Sequence, residues 1–183
     1  FNGNGDTTQK GIEFAFQYDL SAFEDELGWA SGFGVVANYT YQEAESGDDF
    51  RSFNGRGQEI LEALGIAAED AQDRVELSNL SKNAYNFTVF YEQFGISARA
   101  RYTWRSSYIA NDAFQFGLPR VNESRGQLNA SVNYDINDDF SIGVEAINIT
   151  QSDASQSCVN EGGLLCFQGL TDRRILFGGS YRF

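Results

Sequence analysis

The sequence predicts an all-β chain, a single antiparallel sheet of about seven strands built to cross a membrane as a segment of a transmembrane β-barrel. Three observations predict it. Runs alternating apolar and polar residues recur along the chain, the connections between them alternate short and long, and the composition favours strands and turns. Nine Tyr, sixteen Phe and nineteen Gly stand against one Pro and no Met, a mixture that suits pleated strands and tight turns better than helices. No apolar run approaches the roughly 18 residues of a membrane-spanning helix. A barrel leaves no such run, because alternation halves the mean hydropathy of each strand.

Each strand follows from its own alternation, since neighbouring side chains on a strand point to opposite faces. Residues 10–20 place Ile12, Phe14, Phe16, Tyr18 and Leu20 opposite Glu13, Gln17 and Asp19. Residues 32–42 place Phe33, Val35, Ala37, Tyr39 and Tyr41 opposite Asn38, Thr40 and Gln42. In 82–92 the apolar row is Tyr85, Phe87, Val89 and Tyr91, and in 95–105 it is Ile96, Ala98, Ala100, Tyr102 and Trp104. Residues 123–135 carry Leu128, Ala130, Val132 and Tyr134, and 139–150 repeat the pattern from Phe140. The seventh strand, 173–183, shows Ile175, Phe177, Gly179, Tyr181 and Phe183 on one parity. Each run is close to the 9–11 residues that a tilted strand needs to cross a bilayer.

The links between strands give the sheet a direction. Residues 21–31, Glu92 to Phe94 and Ile136 to Asp139 are short, whereas 43–81, 106–122 and 151–171 are long. Outer-membrane barrels have short periplasmic turns and longer outer loops, so the three long loops are expected outside the cell. Aromatic residues fall at both strand ends, Tyr41, Tyr85 and Trp104 at one and Tyr18, Tyr91, Tyr134, Phe140 and Phe183 at the other. Tyr and Trp favour the membrane interface, where the ring is dry and its polar atom wet.

Charge and chemistry exclude several functions. A net charge of −13 argues against nucleic acid, whose phosphates need clustered Lys and Arg. Between residues 43 and 80 ten acids face three arginines. Within that loop, Gln58 to Leu64 and Ala67 to Val75 carry helix formers broken by Gly65, which predicts short helices over the barrel mouth; a disordered acidic loop is the alternative. With no His and no nucleophile elbow, an enzyme is not expected. No cofactor is implied. Asp48 and Asp49 lack the regular alternation of oxygen ligands of a calcium loop, so no metal site is assigned. Cys158 and Cys166 share one Gly- and Ser-rich segment and are expected to form a local disulfide in an oxidising compartment.

Candidate ligand contacts follow from position. Arg99, Arg101 and Arg105 form one inward stripe, suited to plug carboxylates or an anionic ligand. Tyr108, Phe114 and Phe116 are loop aromatics placed to stack on a sugar or a catecholate. The inward rows also hold Glu13, Gln17, Asn38, Thr40, Gln127, Asn129, Asn133 and Glu145, which a hydrated interior needs.

Several segments resemble paired strands of TonB-dependent outer-membrane receptors. They are Asn2 to Gly5 with Lys10 to Phe14, Gly32 to Tyr41, Leu80 to Asn86 leading into Tyr91-Glu92, and Phe94 to Arg99 leading to Tyr102 to Ser106. Ala146 to Thr150 and Arg173 to Phe183 look like the family's last two strands. The resemblance implies a barrel of about 22 strands with an N-terminal plug, importing a scarce ligand such as a ferric siderophore, cobalamin or an oligosaccharide with TonB-supplied energy. It also implies outer-membrane lipid, the plug, the remaining barrel strands, the TonB complex and the barrel assembly machinery as partners, the last recognising Tyr181 and Phe183. The chain is expected to be the C-terminal portion of such a receptor, as a fragment or as part of a split one. A passive porin or surface adhesin barrel is the alternative.

Overall fold

The computed structural model describes residues 7–46, 55–71, 79–110 and 118–182. Seven long strands form the wall: β1 (Thr7–Asp19), β2 (Phe33–Ser46), β3 (Asn83–Gln93), β4 (Ile96–Arg105), β7 (Arg125–Asp135), β8 (Phe140–Ile147) and β11 (Arg174–Tyr181). They pair in chain order, every pairing antiparallel, and β1 and β11 are the two edges. The register lines up the apolar rows of neighbouring strands on one face. Tyr18 opposes Val35, Val35 opposes Val89, Val89 opposes Ala100 and Ala100 opposes Ala130, all on the apolar side.

Among the described residues nothing packs on that apolar side. Phe14 is 62% exposed and Phe177 80% exposed, and a contiguous face of this kind is tolerated in a monomer only where something other than water covers it. At about 3.3 Å per residue, the thirteen residues of β1 exceed a ~30 Å hydrocarbon core even with moderate tilt.

Short links close one end of the wall. Phe94 and Gly95 both have positive φ, 55° and 73°, the two-residue turn whose twist matches the flanking strands. The link after β7 is held by Asn137, whose Oδ1 accepts from the backbone N–H of Asp139 and of Phe140 at 3.0 and 2.9 Å. Between β1 and β2 the chain makes 3₁₀ turns around one α-helical turn, α1 (Glu24–Leu27).

The opposite end carries a second tier. Strands β5 (Tyr108–Ile109), β6 (Arg120–Asn122), β9 (Ala154–Cys158) and β10 (Leu164–Gly169) form a four-stranded sheet in the order β5-β6-β9-β10. This order copies the wall below it, because β5 continues β4, β6 leads into β7, β9 continues β8 and β10 leads into β11. Helix α2 (Gly55–Leu64) lies against the tier. It buries Gly57 and Leu61, four residues apart and therefore on one helix face. Leu61, Ala71, Leu118, Cys158 and Val159 form the buried cluster, with Ile60, Ile66 and Cys166 against it. Cys158 and Cys166 are disulfide-bonded, with 5.7 Å between their Cα atoms.

The strand limits differ from the sequence reading in ways the ladder explains. The strand read as 139–150 stops at Ile147 because Asn148 turns left-handed, φ 54°. Residues 123–124 belong to no strand and separate β6 from β7. β1 and β2 extend past the apolar zone, Lys10 opposing Glu43 and Gln9 opposing Ala44, since backbone pairing needs no apolar side chain. The loops read as 106–122 and 151–171 contain the four tier strands. In the 43–81 loop α2 begins at Gly55, earlier than Gln58, Gly65 ends it with φ 68°, and only a 3₁₀ turn follows at Ala68–Asp70; residues 72–78 lie outside the described ones.

Candidate ligand-facing surface

The polar side of the wall is the hollow one. A groove of about 460 Å³ is lined by Gln17, Asn38, Asn86, Phe90, Arg99 and Arg101 among others. A second, of about 540 Å³, runs over Ser131, Asn133, Gly143, Glu145 and Gly178. Alternation places these residues opposite the bare apolar row.

The arginine stripe divides by partner. Arg99 lies 3.6 Å from Glu92 with both side chains more than half exposed, and its guanidinium stands 6.0 Å from the Phe90 ring. Such an exposed pair contributes at most about 1 kcal/mol, which leaves the guanidinium able to change partner. Arg101 donates to Asn86 Oδ1 at 3.2 Å, an oxygen that also accepts from Thr103 at 2.9 Å. Arg105 is committed to the tier. Its Nε donates to Ser81 Oγ at 2.8 Å, another nitrogen donates to the Asn79 carbonyl at 3.4 Å, and its plane lies 3.8 Å from the Tyr108 ring centre. Three arginines in one row thus split into two lining the hollow and one fastening a loop with Tyr108. Phe114, Phe116 and Phe183 lie outside the described residues, as do Asp48 and Asp49. Tyr181 ends β11, opposite Phe140.

A hydrogen-bonded knot fixes the tier to the wall. Asn148 is 4% exposed. Its backbone N–H donates to Asn129 Oδ1 at 2.9 Å, its side-chain amide donates to Thr171 Oγ1 at 2.9 Å, and its Oδ1 accepts from the Ser152 N–H at 3.0 Å. Arg125 donates to the Ser152 carbonyl at 2.8 Å. The steps from β8 to β9 and from β10 to β11 are thereby tied together.

Three residues carry more than their sequence signal suggested. Phe90 sits in the polar row, its ring lying over Gly34, where any side chain would strike it. Asn148 occupies the apolar parity of β8, and an amide there was the available sign that the strand ends. Trp29 lies outside any alternating run, 65% exposed, with its ring 5.9 Å from Phe33, which lies 4.9 Å from Tyr91. This aromatic chain at the short-turn end mirrors Tyr85 stacked at 5.2 Å on Trp104 at the other.

A wall bare and apolar on one side, hollow and polar on the other, with aromatics at both ends, defines a membrane β-barrel protein. The model of the TonB dependent receptor-like β-barrel matches residues 1–149, and the chain belongs to that family of outer-membrane transporters. Its members work with a plug domain, TonB and membrane lipid. Comparison with curated proteins gives no match.

Proposed function

We propose that the chain is the C-terminal barrel portion of a receptor that imports a scarce ligand, a ferric siderophore, cobalamin or an oligosaccharide, with energy delivered through TonB. The observation that carries this reading is the two-faced wall under a folded tier, within a family of transporters. The long-loop end with its tier faces the outside of the cell, and the short turns face the periplasm. Further barrel strands pair with the edges β1 and β11, and the plug docks on the hollow side. Arg99 and Arg101 meet plug carboxylates or ligand there, while Tyr108 with Arg105, Phe114 and Phe116 form the outer recognition surface. Tyr181 and Phe183 serve as the signal read by the barrel assembly machinery.

Uptake of labelled ferric siderophore, cobalamin and oligosaccharide by cells producing the intact receptor tests the reading. One of the three should enter, and a protonophore should stop its entry. Entry that persists without the proton-motive force would mark a passive porin, and attachment without entry an adhesin.

A further inference from the structure

The tier has two edges, and they are treated differently. At β5 the chain covers its own edge, the Asn79 N–H donating to the Ile109 carbonyl at 2.7 Å, with Ile109 4% exposed. At β10 no described segment does so, and among the described residues it pairs with β9 alone. The residues along it are among the barest in the tier: Leu164 is 52%, Leu165 58%, Phe167 54% and, just beyond, Leu170 80% exposed. Exposed edge strands are normally blunted with charge or proline, yet Leu164 to Leu170 contain neither. The wall edge at β1 shows the contrast, its long-loop end reading Thr8, Gln9, Lys10.

Because the tier copies the strand order of the wall, the β10 edge is the upward continuation of the β11 edge. The Asn148 knot fixes the step between them through Thr171 and the Asp172 carbonyl. The disulfide pins the bulge at Cys166, where the β9 register shifts between Leu165 and Phe167, so the edge holds one shape. We infer that the barrel strand pairing with β11 continues beyond it and pairs with β10, so that the closing seam runs through both tiers. The occupant is an antiparallel strand extended at its long-loop end by about the six residues of β10 and bearing apolar side chains against Leu164, Leu165 and Phe167. Lipid could cover those side chains but offers no partners to the backbone N–H and C=O groups of an edge. A strand supplies both.

This inference rests on the barrel reading above, and amide hydrogen exchange on the intact receptor in detergent separates the two. The inference expects the amides of 174–181 that do not bond to β8 and those of 164–169 that do not bond to β9 to exchange at least about a hundredfold below the unprotected rate, as paired sheet amides do. Slow exchange in that half of 174–181 with unprotected exchange in that half of 164–169 would overturn the two-tier seam and leave the barrel standing. The same holds if those amides are fast while Leu165→Cys carrying a fluorophore is quenched by brominated lipid, which would make lipid the cover. Fast exchange in both of these halves would overturn the barrel reading and this inference together.

Discussion

The wall and the tier above it are made of the same strand order and solve opposite problems. The tier folds as a water-soluble protein does, around Leu61, Ala71, Leu118, Cys158 and Val159, each no more than 3% exposed. Among the described residues the wall has no such core, and its large side chains, Phe14, Phe87 and Phe177 among them, stand open. What differs is the solvent each region was built for. In water an apolar side chain must find protein to bury against; in a bilayer the hydrocarbon covers it, and backbone pairing carries the structure.

The contrast is most easily broken at Leu61. Leu61→Ala should cost about 2–5 kcal/mol, felt in the tier alone, so that hydrogen exchange in α2 rises while exchange in β3 and β4 stays unchanged. Loss of protection in both would mean that wall and tier fold as one unit. The wall is tested by Phe87→Arg, which places charge on the lipid side and should lower barrel stability by about 2–4 kcal/mol. Thr88→Arg, one residue on and facing the hollow, should leave the urea midpoint of the intact receptor nearly unchanged. Equal losses at 87 and 88 would show that the wall has no lipid side.

Replacing both cysteines, Cys158→Ser with Cys166→Ser, should cost roughly 2–3 kcal/mol for a loop this short. The loss should be confined to the tier and read as faster exchange in β9 and β10. The smallest effect belongs to Glu92→Gln. Removing the exposed partner of Arg99 should change stability by less than about 1 kcal/mol, with the urea midpoint again as readout; a larger loss would mean that the pair is sealed by something packed on the hollow side.

The wall was legible in the sequence because each of its strands obeys one period and its two solvents differ so sharply. Phe14, Phe16 and Tyr18 against Glu13 and Gln17 leave one face for lipid and one for water. The tier was not legible. Strands of two and three residues, Tyr108–Ile109 and Arg120–Asn122, are too short to show alternation, and they are held by pairing with each other and, through Arg120–Asn122, with β9. The end of β8 was overrun because Ile147 and Ile149 resemble a continuing strand, while the left-handed turn at Asn148 is set by partners nineteen and twenty-three residues away. Helix α2 was visible in Ile60, Leu61 and Leu64, but which side it buries depends on Leu118 and Val159. In the candidate site, Arg99, Arg101 and Arg105 share one parity, which the sequence displays. Their different partners depend on Glu92, Asn86 and Ser81, which only the fold brings near.

The central claim is that the odd-numbered residues of β3 face lipid and the even-numbered ones face water. A spin label moved one position at a time along Asn83–Gln93 of the intact receptor in bilayers reads this directly. The account predicts that accessibility to oxygen peaks at 85, 87, 89 and 91 while accessibility to a water-soluble nickel chelate peaks at 84, 86, 88 and 90, the two profiles out of phase with a period of two. Profiles in phase, or without that period, would contradict it.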